Sequence, residues 1–316
     1  MEKEGPFVQG PMRFISHISG VNLWVQNRVN NYVVSLKRKR QSLYVIAILL
    51  ILNILLAGSI PVYTKNDTFL ALFFGLLDLS GYGMITIFDV IEINRKCSEI
   101  CMSINKIKSI KIYLLKLNFY SERNFQLLKI YLNFLFTYFI FEQCVGVIAF
   151  IWFYFTISEY LWFVRLIYVI VNSIMLSIEI TFLIFLLNLK FLFESIDVKL
   201  FENDQIDRFL SFDRGKTIFL FRSLRKAHGD ICDVAEAINK CFSNVNLVNV
   251  TLDFIGLVYT SYEYMKLCGG RDSSFYMSFY WFTFYGLKVV AKSAVASFTV
   301  IKVKYFLFLS ENFLLI

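Results

Sequence analysis

Long apolar runs alternate along the chain with short polar or basic stretches. Six runs approach or exceed the roughly 20 predominantly apolar residues that carry a helix across a hydrocarbon core about 30 Å thick. They are 43–60, 69–91, 130–157, 160–189, 245–265 and 275–301. None shows the alternation of a barrel strand, so the pattern predicts helices. The expected fold is an all-α polytopic membrane protein with six transmembrane helices, cytosolic helical extensions and the N-terminus inside.

Just before the fifth run the pattern becomes amphipathic. Ile231, Val234, Ile238 and Cys241/Phe242 recur at helical spacing, with Asp230, Asp233, Glu236 and Lys240 on the other side. Glu236 and Lys240 stand in the favourable i,i+4 order. No proline separates this stretch from the run at 245–265. A single helix over 222–265 would be about 66 Å long at 1.5 Å per residue, too long for the bilayer alone. Half of it is expected to project into the cytosol as a stalk whose apolar stripe needs a cover, which makes it an assembly element.

Composition agrees with a membrane location. The chain is 57% hydrophobic and 18% charged, against roughly 25% charged in soluble domains. With the N-terminus inside, Lys and Arg number seven in the cytosolic N-terminus (1–42) and eight in a cytosolic loop (92–129). Nine more fall in the cytosolic stalk region (190–244) and two in a cytosolic tail (302–316), so 26 lie inside against three outside. That asymmetry sets the orientation and accounts for the net charge of +8 without nucleic acid as a partner. Residues 1–42 lack the apolar core of a cleavable signal peptide. Asn66-Asp67-Thr68 is a glycosylation acceptor in an outer loop, whereas the sequon at Asn249 falls inside a span.

Candidate chemistry is sparse. His228 and Cys232 share a helix face, but a structural zinc site usually takes four ligands, so no metal and no cofactor are expected. Cys268 alone among six cysteines falls outside, so no structural disulfide is expected. The two histidines, His17 and His228, lie far apart in sequence and give no acid–base cluster, so the chain is not read as an enzyme. Charges within spans are costly and by default suggest function. Counted from the outer ends, Asp78 lies nine residues deep, Asp253 twelve, Lys288 thirteen and Glu142 fifteen. Lys288 is therefore placed to meet Asp253 or Glu142, as a structural or a functional pair, while Asp89 and Arg165 near span ends are expected to snorkel. Tyr259, Tyr262, Tyr264, Tyr276, Tyr280 and Trp281 crowd the outer halves of the last two spans. Two readings stay open for them, an interfacial aromatic belt or the wall of a ligand pocket open to the outside.

The stretch "LRKAHGDICDVAEAINKCFSNVNLVNVTLDFIGLVYTSYEY" combines a His228–Cys232 pair, Asn239-x-x-Phe242 and an apolar span ending in tyrosines. It resembles the insect gustatory receptors, at residue level over about 224–264 and in topology over nearly the whole chain. The resemblance implies a seven-helix, ligand-gated cation channel subunit of the sensory-neuron plasma membrane, similar to insect odorant receptors. It implies small tastants as ligands and homo- or heterotetramers held by cytosolic helix extensions, with His228, Ile231, Val234, Ile238, Asn239 and Phe242 on the assembly stalk. The family's last helix, which lines the pore, carries Thr-Tyr, five apolar residues, then Gln-Phe. Here "TYFIFEQC" (137–144) only approximates that motif and lies in the third span. The final "KVKYFLFLSENFLLI" is short and carries Ser310, Glu311 and Asn312. The sequence as given is therefore expected to stop before a seventh helix and to conduct no current alone. A secondary transporter is the rival reading; it predicts broken spans near the midplane, and only 69–91, with three glycines, resembles one.

Overall fold

The computed structural model describes residues 24–26, 32–63, 81–117, 122–156, 162–201, 214–266, 279, 282–283, 285–290 and 293. Among these the chain is almost entirely helical. A short hairpin, β1 (Trp24–Gln26) and β2 (Tyr32–Val34), is followed by six helices. They are α1 (Leu36–Tyr63), α2 (Tyr82–Arg95), α3 (Cys97–Lys116), α4 (Glu122–Thr156), α5 (Trp162–Phe201) and α6 (Arg214–Lys266). Residues 285–290 form a further helical stretch.

Among the described residues, three stretches are long and apolar enough to cross a membrane: Gln126–Ile148 in α4, Val169–Ile196 in α5 and Arg222–Tyr262 in α6. The run at 43–60 lies within α1, the inner end of 69–91 lies in α2, and most of 275–301 falls outside the described residues. The spanning stretches differ in what covers them. In α5, 61% of the apolar window is buried against the rest of the chain, but in α4 only 11% is. Ile130, Phe134, Phe141 and Ile148 of α4 are exposed, an apolar surface of the kind that acyl chains cover. α5 is thus the central helix and α4 an outer one.

α2 and α3 behave as one bent rod. Lys96 (φ −94°, ψ 10°) separates them, yet its N–H donates to Glu92 O at 3.0 Å and its carbonyl accepts from Ile100 N–H at 3.0 Å. The predicted loop at 92–129 is therefore helical over most of its length. Ile100, Ile104, Ile107, Ile110 and Leu114 recur at helical spacing and are all buried. They form one core with Leu224, Ile231, Val234, Ile238 and Phe242 of α6.

The hairpin departs from the all-α expectation. It pairs Trp24 with Val34, Val25 with Val33 and Gln26 with Tyr32. A two-stranded hairpin is marginal by itself, and here the Asn105 side chain of α3 completes it. Tyr32 N–H donates to Asn105 Oδ1 at 2.8 Å, and Asn105 Nδ2 donates to Tyr32 O at 2.9 Å. The amide acts as one residue of an added strand.

Candidate functional site in the bundle interior

α6 turns a polar stripe inward. Asn249, Asp253, Gly256 and Thr260 fall at spacings of four, three and four, and all are buried. The stretch 285–290 lies against this stripe through Tyr285 and Lys288, three residues apart and both buried. Its approach is set by Gly256, where a Cβ would sit 2.8 Å from two Tyr285 ring carbons. One turn from that contact, Lys288 Nζ lies 3.9 Å from Asp253 Oδ1. On its other side is α5, with Glu179 Oε2 at 3.8 Å. Exposure of the three side chains is 2%, 0% and 5%, so the ions interact in a medium that screens them little. An ammonium flanked by two carboxylates from different helices ties three elements together, and displacing any one of them strands a buried charge.

Sequence reasoning missed Glu179, although it is the only acidic residue of the run at 160–189. An isolated carboxylate in the most apolar helix is a readable signal. Glu142 is buried on α4. Its neighbour Gln143 accepts a hydrogen bond from Ser173 of α5 through Oε1. Asp78 lies outside the described residues. Asp89 does not snorkel: it is fully buried, and Oδ2 accepts from Asn249 Nδ2 at 2.9 Å.

The aromatic candidates separate. Tyr262 lies on the outward face of α6, in line with Leu247, Val250, Phe254, Val258 and Met265, all exposed. Tyr259 and Tyr264 are half-buried. The Tyr264 ring stacks on Phe282 (6.1 Å) and packs on Phe279 (5.8 Å). Tyr276, Tyr280, Trp281 and the glycosylation acceptor Asn66 lie outside the described residues.

The stalk stripe is corrected in one respect. The sequence makes it an assembly element whose stripe needs a cover, and the chain's own helices supply that cover. Ile231, Val234, Ile238 and Phe242 are at most 2% exposed. The Phe242 ring sits 5.3 Å from Phe182 and 5.9 Å from Phe185 of α5, and His228 packs on Phe193 at 5.5 Å. Cys232 Sγ lies 3.7 Å from the His228 ring nitrogens. Among the described residues no group of three His, Cys, Asp or Glu is placed to hold a metal ion. Of the six stalk residues, Asn239 alone is exposed. Polar clasps close the edge of the α3–α6 contact. Lys106 Nζ reaches Asp233 Oδ2 at 3.0 Å and Asp230 Oδ1 at 3.5 Å; the Asp233 hydrogen bond and the two negative charges raise its pKa. Lys96 Nζ donates to Lys240 O at 2.7 Å. Deeper in the α3 interface, burial lowers the Lys111 ammonium to a pKa of about 8.

No protein-family model matches the chain, and no curated protein matches it either.

Proposed function

We propose that the chain is a chemosensory receptor subunit of the gustatory type, a multi-pass plasma-membrane protein contributing to a ligand-gated cation channel. The observation that carries this reading is α6. One unbroken 53-residue helix bears the His228–Cys232 pair, Asn239-x-x-Phe242 and the terminal tyrosines, the residues that carry the resemblance to gustatory receptors. Its charged half packs on α3 and its apolar half holds the Lys288–Asp253 contact, so a shift of the outer segment would be felt along a single rod. Small tastants binding among the outer aromatics would favour the arrangement they fit better, and only that difference in affinity moves the equilibrium. Partners are then the bilayer and other receptor subunits, in a tetramer that meets through surfaces the single chain leaves exposed.

A second reading, a secondary transporter of small solutes, draws support from the Glu179–Lys288–Asp253 cluster, because buried ionisable groups in membrane bundles also mark ion and proton relays. The two separate in one preparation. Cells expressing the chain with candidate receptor partners are given sugars and bitter compounds while current and radiolabelled uptake are both recorded. Agonist-gated cation current without uptake supports the channel subunit. Saturable uptake without gated current supports the transporter and removes the receptor reading.

A further inference from the structure

Ser42 of α1 and Asn94 of α2 mark a boundary on the surface. Asn94 Nδ2 donates to Ser42 Oγ at 2.5 Å. Eleven residues further along α1, Asn53 meets Gly83, eleven residues back on α2, where a Cβ would lie 2.9 Å from Asn53 Cγ. The two helices therefore run antiparallel in a fixed register. On one side of the boundary the exposed side chains are basic. Lys37, Lys39 and Arg40 of α1 are exposed, and the side chain of Arg95, next to Asn94, is 65% exposed. On the other side they are apolar. Leu43 and Tyr44 of α1 are 57% and 68% exposed, and Ile91 of α2 is 46% exposed. Both helices change character at the same level.

The basic side is poor in counter-charge. The first turn of α1 holds no acidic residue, so Lys37 and Lys39 lie at the positive end of their own helix dipole. Among the described residues no ion pair engages Lys37, Lys39 or Arg40. Of the carboxylates at this level, Glu92 is shared by Arg95 at 3.1 Å and Lys96 at 3.7 Å. Glu99 accepts from the Cys241 thiol at 3.7 Å.

We propose that Lys37, Lys39 and Arg40, with Arg95, form a surface that binds the headgroups of anionic phospholipids in the adjoining leaflet. The charge sets the sign of the partner, and the apolar neighbours set its kind. Acyl chains cover Leu43, Tyr44 and Ile91 while the headgroups meet the cations; a soluble polyanion would leave that apolar surface bare. Tyr44 stands at the level where aromatic rings sit in a bilayer interface. Leu36, 77% exposed within the basic turn, is an apolar contact that insertion among headgroups would cover. Lysines and arginines beside a membrane segment attract anionic lipid in this way. The inference rests on the membrane location of the chain and is independent of the choice between receptor and transporter.

The test is thermal unfolding of the purified full chain in detergent micelles doped with phosphatidylserine or with phosphatidylcholine. Phosphatidylserine should raise Tm saturably and at lower concentration than phosphatidylcholine, because a ligand that binds the folded state stabilises it by mass action. Molar salt should shrink that difference, since exposed charges are screened. The triple variant Lys37→Gln, Lys39→Gln, Arg40→Gln should keep the parent's Tm in phosphatidylcholine and need on the order of a hundredfold more phosphatidylserine for the same response. Arg222→Gln, Arg225→Gln, Lys226→Gln removes equal charge from exposed positions on α6 and should respond like the parent. Equal responses to the two lipids overturn the proposal and leave the membrane location standing; this comparison decides the matter if the first triple variant does not fold. An equal loss in both triple variants also overturns it, as does a rise with soluble polyphosphate that matches phosphatidylserine. A chain that stays folded and monodisperse without detergent or lipid removes the membrane location itself.

Discussion

Gly256 and Tyr285 meet so closely that a methyl group on the glycine would lie 2.8 Å from the ring. The contact positions the charges: Asp253 is three residues before Gly256, and Lys288 is three residues after Tyr285. Gly256→Ala is therefore expected to push the 285–290 stretch away from α6 and to lower stability by about 1–3 kcal/mol, the usual cost of overpacking. Tyr285→Leu should offset part of that loss in the double variant. Thermal unfolding in detergent measures both, and a Gly256→Ala protein as stable as the parent would show that the two segments do not pack this tightly.

The ion cluster makes a prediction about combinations. Lys288→Met leaves two buried carboxylates facing each other, and Glu179→Gln with Asp253→Asn leaves a buried ammonium without counter-charge. Each should cost about 3–5 kcal/mol. The triple variant, neutral and close in shape, should recover most of the lost folded protein. If the triple variant unfolds as readily as Lys288→Met, the three charges do not act as one unit.

Much of this was readable in the residues, and what was not has physical causes. Apolar length alone located α1, α4, α5 and the second half of α6. The depth count placed Asp253 and Lys288 at one level, and the structure brings them within 3.9 Å. Lys106, Lys108, Lys111 and Lys116 give helix α3 the composition of a basic loop, although Ile100, Ile104, Ile107 and Ile110 carry the helical spacing. The α6 stripe announced that it must be covered, but periodicity cannot name the cover, and intramolecular packing against α3 and α5 took that place. Asp89 was expected at the interface because it lies near the end of its run; Asn249 on a distant part of the sequence keeps it inside.

Asn105 makes two hydrogen bonds that tie β2 to α3. Asn105→Leu removes donor and acceptor together and should free the hairpin while leaving the helices intact. Asn105→Asp keeps the acceptor but sets a carboxylate against Tyr32 O, and should be at least as damaging. Limited proteolysis before α1 should accelerate several-fold in both variants with Tm lowered by no more than a few degrees. Unchanged cleavage would mean that strand pairing alone retains the hairpin.

Lys111 predicts an unusual pH response. The folded chain releases this proton near pH 8, while an unfolded lysine keeps it to about 10.4. Between those values the unfolded state binds more protons, so this group makes stability rise with pH across that window and contributes no slope well below it. Lys111→Met should stabilise the protein at pH 7 by about 1–3 kcal/mol and flatten the rise between pH 8 and 10. A variant with the parent's pH slope would show that the slope comes from other groups.

The stalk now predicts two classes of variant. Ile231 and Ile238 are buried inside the chain, at 0% and 2% exposure. Ile231→Glu or Ile238→Glu should therefore break the α3–α6 core and cost well over about 3 kcal/mol, seen as loss of folded monomer before any effect on assembly. On the proposed assembly reading, a partner would meet the other side of α6, where Glu236, Asn239 and Lys240 are exposed. Charge reversal there, Glu236→Lys with Lys240→Glu, or bulk at Asn239→Trp, should leave Tm within a degree or so yet weaken oligomers in crosslinking and mass photometry. If the surface variants leave the oligomers intact while the isoleucine variants dissociate a still-folded chain, the stripe is shared between subunits, and the packing of α3 on α6 is not its resting arrangement in the assembly.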